Sequence, residues 1–381
     1  MIQATDKEEV QLRPVDPMRH HREKGWDYKG RAIYHFTLPV EERYPLFGVL
    51  EGDSAETACV RLNSFGRNVF QMLSGLAEFY KGKGYALKVL AQMVMPDHVH
   101  MVIQVLEPLP KSIGTVVRGF KSGCTKVYKE EYYHSGENAA EVHGDTPVQF
   151  ARIFAGRGSI WQEDKAYYHE RILHAPDQLR RMIDYVKDNP RRLWLKRHNP
   201  DLFKLHRRTE AAGLSFTSMG NHFLLNWPDC QTVEMSRSAT DEQIQERLRS
   251  VLSAAHNGAV TYTAAISKGE QLIARSLREQ GYPLVVLLTD GFPKEGTPHE
   301  RYYKPGGIYF EACSKGLLLL LEPTEEAFLN TSMEKAVEEI LRRKAKERHY
   351  DYTPIPVTSQ RYRFVSLNEM SKRLSLAHSK N

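Results

Sequence analysis

The stretch Ala91-Gln-Met-Val-Met-Pro-Asp-His-Val-His-Met-Val-Ile-Gln-Val105 constrains this chain more than any other. It is an apolar run with strand character, and two histidines, His98 and His100, stand one residue apart inside it. Strand side chains alternate between faces, so both imidazoles project the same way while Val99 turns into the core. Two ring nitrogens are thereby offered to one point in space, which a metal ion can use. A strand can equally carry such a pair as satisfied core or surface histidines, so the rest of the chain must decide.

The chain has 381 residues, room for two domains of ordinary size, and 41% of them are hydrophobic, enough for a core in each. Mean hydropathy is −0.52, and no run approaches the ~18 apolar residues of a membrane span. The opening Met1-Ile-Gln-Ala-Thr-Asp-Lys-Glu-Glu9 is polar and charged, unlike a secretory signal. Cys59, Cys124, Cys230 and Cys313 show no Cys-x-x-Cys spacing. They are expected to be reduced, buried thiols of a cytoplasmic protein, with neither a zinc knuckle nor a disulfide frame. A net charge of +6 and a pI near 8.9 hint at a polyanionic partner, although many soluble proteins carry as much.

Residues 1–30 form a basic lead-in containing Arg19-His-His-Arg22. Arg31 to Leu38 alternates as a first strand, and Tyr44 to Leu50 reads as a second. From about Glu56 to Lys81 apolar residues recur at helical spacing (Val60, Phe65, Val69, Met72, Leu73, Leu76, Phe79), until Gly82 to Gly84 stop the helix. Tyr85 to Met95 and His98 to Leu106 are two more strands around a Pro96-Asp97 bend, and a second helix spans Ser112 to Glu131. This β-β-α-β-β-α order predicts an α+β domain, an antiparallel sheet with helices on one face. Tyr132 to Ser159 reads as a loop or insertion. A helix at 176–188 follows, with Pro176 in its first turn and Asn189-Pro190 ending it.

That helix is the second informative element. Leu179, Met182, Ile183 and Val186 form its core stripe, and Tyr185 and Asn189, four apart, are neighbours on the flank beside it. The plain roles are a half-buried packing tyrosine and a C-cap asparagine. Joined to the dyad, they suggest more. Two imidazoles and one amide oxygen make a three-ligand site with open positions, suited to Mg2+ or Mn2+ on a phosphate oxygen; zinc also accepts such imidazoles. A tyrosine beside that cation could attack phosphorus as a nucleophile.

Met95-Pro-Asp-His-Val-His-Met-Val102 resembles the His-hydrophobe-His motif of the single-tyrosine HUH transposases. Phe120-Lys-Ser122, Ile160-Trp-Gln162, Tyr168-His-Glu-Arg-Ile-Leu173 and Asp184-Tyr-Val-Lys-Asp-Asn-Pro190 follow in the order seen in the REP-associated tyrosine transposases. The likeness covers roughly residues 30–200. It implies that Tyr185 is the nucleophile, that His98 and His100 hold the metal, and that Asn189 is the third ligand, where insertion-sequence members commonly carry Gln. Tyr167 and Tyr168 remain rival nucleophiles. The resemblance further implies cleavage of single-stranded DNA at a hairpin, leaving a 5′-phosphotyrosine and a free 3′-hydroxyl.

DNA contacts are expected from basic residues near these motifs: Arg118, Lys121 and Lys126 on the second helix, and Arg191, Arg192, Lys196 and Arg197 after the tyrosine helix. Trp161, Trp194 and Tyr167 could stack on unpaired bases. The plain alternative is a solvated basic face with its aromatics in the core. A different enzyme class, a two-histidine phosphodiesterase on RNA ends, would need a second His-x-Thr/Ser motif on a matching strand, and none is found.

Beyond a basic tract at 187–208 the composition changes. Leu224-Leu225 and Thr232 to Met235 read as strands, Asp241 to Ala255 and Lys268 to Gln280 as helices. Pro283 to Leu288 and Gly316 to Glu322 are apolar without alternation, the mark of strands covered on both faces. This half is expected to be α/β and Rossmann-like; Ala264 to Gln271, Pro283 to Asp290, Lys304-Pro-Gly-Gly307 and Ala312 to Leu318 loosely resemble the DNA-processing-protein or lysine-decarboxylase-like group. Gly306 and Gly307 are candidates for phosphate binding, but no Gly-x-Gly-x-x-Gly or Walker motif accompanies them. A structural or DNA-gripping domain is the preferred reading. After Ser332 come a charged helix, Glu334 to Arg348, and a mobile basic segment. The expected organisation is lead-in 1–30, HUH nuclease domain 31–204, Rossmann-like accessory domain 205–330 and tail 331–381. The expected function is a metal-dependent single-stranded DNA endonuclease and strand-transferase; the rival is a hairpin-binding protein with an idle site. Oligomeric state is left open.

Overall fold

The His-x-His strand lies inside a four-stranded antiparallel sheet. The computed structural model describes residues 23, 25–133, 150, 153–155, 157–162, 169–293 and 307–377. The chain divides into two compact units, Met1–Trp194 and Leu195–Asn381. In the first, strand β1 is Ala32–Pro39, β2 is Gly48–Glu51 and β3 is Cys59–Leu62. Helices α1 (Ser64–Ser74) and α2 (Leu76–Lys81) follow, then β4 (Leu87–Met95) and β5 (His98–Val105). Helix α3 (Gly114–Tyr128), β6 (His169–Leu173), α4 (Pro176–Lys187) and α5 (Asn189–His198) come next, α5 running past the boundary between the units. The sheet order is β4-β5-β1-β6, and β2 and β3 form a separate hairpin.

Alternation along β5 divides the packing. Val99, Met101, Ile103 and Val105 join Tyr34, Phe36 and Leu38 in a core with Phe65, Val69, Leu73, Val116, Val117 and Phe120 of α1 and α3. Val102 faces the other way, into a smaller cluster with Leu173, Met182 and Val186. Helices therefore cover both faces of the sheet, not one as expected. The unalternated run Met101-Val-Ile103 is the local cause, since it gives both faces apolar surface to bury.

The expected long helix at 56–81 is three elements. Residues 59–62 pair with β2, and the Asn63 side chain then accepts from Gly66 N at 2.8 Å while donating to Leu46 O at 2.9 Å. That cap starts the helix eight residues later than periodicity suggests. Gly75 breaks the helix again, so Phe79 leaves the apolar stripe, is 61% exposed, and lies under the Lys83 ammonium at 3.9 Å. The second strand likewise starts only at Gly48. The chain also does not stop at Asn189-Pro190. Asp188 is the C-cap of α4, and Pro190 sits in the first turn of α5, where its missing N–H costs nothing. From the expected loop at 132–159, Phe150 and Phe154 are buried in the main core. Residues 1–22, and Tyr167 and Tyr168, lie outside the described residues.

In the second unit β7 (His206–Ala211) and β8 (Leu214–Gly220) form a hairpin. Then come β9 (Cys230–Val233), α6 (Asp241–His256), β10 (Val260–Thr263), α7 (Lys268–Glu279) and β11 (Leu284–Leu287). Helix α8 (Phe310–Ser314), β12 (Leu318–Pro323), α9 (Thr331–Glu347) and α10 (Gln360–Leu376) complete it. The six-stranded sheet has the order β7-β8-β12-β11-β10-β9, with β9 to β12 mutually parallel and β8 antiparallel to β12. Val251, Ile273, Leu277 and Phe310, from α6, α7 and α8, cover one face. Met333, Val337, Leu341, Leu367, Met370 and Leu374, from α9 and α10, cover the other. The parallel strands lie side by side in chain order, without the reversal at which a doubly wound sheet opens a nucleotide crevice. Leu224 and Leu225 belong to a 3-10 turn, not a strand. Residues 360–376 are a packed helix, not a mobile tail. Gly307 faces open space, and Gly306 lies outside the described residues.

Two predictions follow from this packing. A Cβ on Gly66 would stand 2.0 Å from the carbonyl oxygen of Phe47, so Gly66→Ala is expected to cost about 1–3 kcal/mol, read as a lowered denaturant midpoint. In the second unit, the rings of His206 and His222 lie 4.5 Å apart. Burial, reinforced by Lys204 for His206 and by His206 for His222, lowers both pKa values below the usual 6.5. The folded state then binds fewer protons than the unfolded chain, so this stability is complete above 6.5 and is lost as pH falls below it. Unfolding followed between neutral pH and pH ~5 is expected to show that loss, with a flatter slope in His222→Gln.

Candidate active site

β5 is the middle strand of the site, with β1 beside it, and antiparallel register sets Thr37 directly opposite His100 and Pro39 opposite His98. His98, His100, Thr37 and His35 all project toward the α4 face. His98 Nε2 and His100 Nε2 are 3.1 Å apart. On its far side His98 presents Nδ1 to Asp97 Oδ1 at 2.5 Å, and Arg43 Nη1 lies 3.7 Å from the other oxygen of that carboxylate. Burial alone would raise the Asp97 pKa, but the charge and hydrogen bond of His98, helped by Arg43, outweigh it and hold it down to about 2. His100, 2% exposed, has Nδ1 at 2.9 Å from Thr37 Oγ1 and 3.1 Å from His35 Nε2.

Tyr185 reaches the same place from α4. Met182 and Val186 pin that helix onto the sheet, and the flank between them and solvent carries the phenol. The Tyr185 ring centroid is 5.6 Å from that of His100, at 76°, and 6.2 Å from that of His35, at 90°. Arg192, 7% exposed, places its guanidinium carbon 5.4 Å from the Tyr185 ring centroid. Asn189 is buried, and its amide nitrogen donates to the carbonyl oxygens of Tyr185 at 2.7 Å and Val186 at 3.4 Å, so Oδ1 is the atom it could offer a cation. Among the described residues no group of three His, Cys, Asp or Glu side chains is arranged to hold a metal ion. The structure thus brings His98, His100 and Tyr185 together. His35 and Thr37 were missed; the signal was present in the alternation of β1, but only its pairing with β5 gave it meaning.

The basic and aromatic residues expected to meet DNA have unequal standing. Arg118 and Lys126 are exposed on α3, with Lys126 3.8 Å from Glu130. Arg197 is exposed and Lys196 half-buried. Arg191 holds Asp188 through Nε at 2.6 Å and Nη2 at 3.2 Å. Lys121 and Arg192 are buried, so neither stands on the surface as a phosphate contact. Trp161 is 1% exposed, packs against Phe47 and Phe120, and donates from Nε1 to Lys121 O at 3.0 Å. Its expected role as a base-stacking platform does not fit that burial. Half-buried Trp194 donates to Gly52 O at 3.0 Å.

No family model matches the chain, and no curated protein does. Among solved structures, the chain is similar to a REP-associated tyrosine transposase bound to a REP hairpin. That match has 16% identity and a TM-score of 0.25, covering 45% of this chain and 73% of the other. It is also similar to a Deinococcus radiodurans R1 protein named as a transposase, at 15% identity and a TM-score of 0.24, covering 45% of this chain and 97% of that one. No helix among the described residues is long and apolar enough to cross a membrane.

The burial of Trp161 gives a direct check. Trp161→Ala is expected to destabilise the first unit by about 3–5 kcal/mol, as removal of a packed indole does, measured by denaturant unfolding. A surface stacking residue would change stability by no more than about 0.5 kcal/mol.

Proposed function

We propose that the first unit is a metal-assisted, single-tyrosine nuclease and strand-transferase acting on single-stranded DNA at hairpins. The observation that carries this reading is the Tyr185 ring standing 5.6 Å from the His100 ring, over a histidine pair whose Nε2 atoms are 3.1 Å apart. That separation fits the pair as adjacent ligands of one ion, since metal–nitrogen bonds of ~2.1 Å at roughly a right angle put the two nitrogens about 3 Å apart. His98 and His100, with Oδ1 of Asn189, would hold Mg2+ or Mn2+. When bound, the ion supplies Lewis-acid polarisation of the scissile phosphate and charge to balance the transition state.

The chain's own residues do the rest. Asp97 fixes the His98 ring with its Nε2 lone pair toward the dyad. Met182 and Val186 position the phenol, and the buried Arg192 guanidinium lies against the Tyr185 ring. Tyr185 Oη bonds to phosphorus while the bond from phosphorus to the 3′ oxygen breaks. The phenolic proton leaves to solvent and the 3′ oxygen takes one up. The products are a 5′-phosphotyrosine and a free 3′-hydroxyl, and attack by a 3′-hydroxyl on that ester reverses the step and joins strands. The preference for hairpins rests on the resemblance of the spaced motifs between residues 95 and 190. Exposed Arg118, Lys126 and Arg197 are the candidates for phosphate contacts, which would make binding strongly salt-dependent.

Incubation with hairpin-bearing single-stranded DNA and Mn2+ is expected to give a covalent adduct on a denaturing gel, abolished in Tyr185→Phe and in His98→Ala/His100→Ala. An adduct that survives Tyr185→Phe but disappears in Tyr167→Phe or Tyr168→Phe would move the nucleophile. Hairpin binding with no adduct on any substrate would leave a binding protein with an idle site.

A further inference from the structure

Behind the dyad stands a second pair of side chains that neither the sequence nor the proposed chemistry assigns. His100 Nδ1 faces Thr37 Oγ1 at 2.9 Å and His35 Nε2 at 3.1 Å, while His100 Nε2 faces His98 Nε2 at 3.1 Å. A neutral imidazole carries one N–H, so these contacts pose an alternative. With the hydrogen on Nε2, His100 donates across the dyad to His98, and its Nδ1 accepts from Thr37 or His35. With the hydrogen on Nδ1, Thr37 Oγ1 or His35 Nε2 accepts it, and the two Nε2 lone pairs of the dyad face one another. The first state closes the dyad with a hydrogen bond. The second is the only one in which both nitrogens can ligate a cation, and without a cation its lone pairs repel. In its neutral form His98 faces no such choice, because the Asp97 carboxylate accepts from its Nδ1–H.

We propose that His35 and Thr37 are positioning residues that set the tautomer of His100, and so switch the dyad between a closed hydrogen-bonded pair and an open ligand pair. This rests on the metal-assisted reading above. Register supports it: Thr37 is the residue directly opposite His100 on β1, and His35 is two places along on the same face. Packing supports it as well. The His35 ring stacks on His100 with centroids 5.2 Å apart and planes 22° from parallel, and it meets Tyr185 edge-on. His35 is buried, 8% exposed, so its ring is held where it can accept from His100. To accept on Nε2 it must carry its own hydrogen on Nδ1. Opening the dyad therefore moves the His100 hydrogen from Nε2 to Nδ1, while Thr37 turns its hydroxyl, or His35 shifts its own hydrogen from Nε2 to Nδ1, to accept it, with no net gain or loss of protons.

The test uses the full-length chain and two readouts that need no DNA. Titration calorimetry with Mn2+ gives the affinity, and nitrogen NMR of labelled imidazoles, with diamagnetic Mg2+ as the ion, reports which ring nitrogen of His100 is protonated. Wild type is expected to carry its His100 hydrogen on Nε2 without metal and on Nδ1 with it. His35→Phe/Thr37→Val, which keeps a flat ring at 35 and the branched shape at 37 while removing both acceptors, is expected to hold the hydrogen on Nε2 and to bind Mn2+ about 10–100-fold more weakly, the usual effect of losing an outer partner of a ligating histidine. Thr37→Ser, which restores an acceptor, should stay near wild-type affinity. Should the double variant fail to fold, Thr37→Val alone carries the same comparison with a smaller loss. Mn2+ affinity within about threefold of wild type in the variants would overturn the switch and leave the nuclease reading standing. A wild-type chain that binds no Mn2+ would overturn both, whereas Mn2+ binding with His100 already in its Nδ1–H form before metal is added overturns only the switch.

Discussion

The antiparallel pairing of β1 with β5 is the constraint on which the site depends. Its register puts Thr37 across from His100 and His35 across from Val102. A slip of one residue would turn His35 and Thr37 into the main core and push Phe36 and Leu38 out toward α4. That slip is blocked from both sides, because Tyr34, Phe36 and Leu38 are buried on one face while Val102, Met182 and Val186 are buried on the other. Hydrophobic burial on two faces thus fixes polar contacts between strands more tightly than the contacts could fix themselves.

The polar groups on the α4 face then follow from a simple requirement. An imidazole as deeply buried as His100 has to find hydrogen-bond partners, and Thr37, His35 and His98 surround it with them. Asp97 and Arg43 do the same for His98 at the open end of the strand. Tyr185 arrives by packing rather than by polar attraction. Its neighbours Met182 and Val186 bury themselves against the sheet, and the residue between them on the flank is carried to the dyad. A ligand pair, an outer layer of acceptors and a phenol are thereby assembled from three separate elements.

The second unit follows a different logic. Four short parallel strands are covered on both faces, which is why Leu284–Leu287 and Leu318–Pro323 could be recognised from apolar runs alone. Val260–Thr263 carries two threonines and a tyrosine and gave no such signal, yet all four residues are buried, with Tyr262 Oη donating to Leu224 O at 3.0 Å. The hairpin β7–β8 was hidden by Arg207, Arg208 and Glu210, charges that suit a sheet edge. Helix α10 was hidden because Tyr362, Leu367, Met370 and Leu374 are spread among serines and basic residues, and only contact with the sheet shows which of them are inside.

By itself the sequence determined what is local. Alternation along a strand places His98 and His100 on one face, and helical periodicity places Tyr185 beside the stripe of Met182 and Val186; both hold wherever the elements go. The Asn63 cap, the break at Gly75 and the restart at Pro190 shifted boundaries because local capping and backbone preferences overrode that periodicity. Only the tertiary structure decided that Thr37 and His35, 63 and 65 positions from His100 along the chain, stand behind it. Only the tertiary structure decided that Trp161, Lys121 and Arg192 are buried rather than offered to a partner. The reason is physical: pairing register and burial depend on which distant surfaces exclude water together, and no short stretch of sequence carries that information.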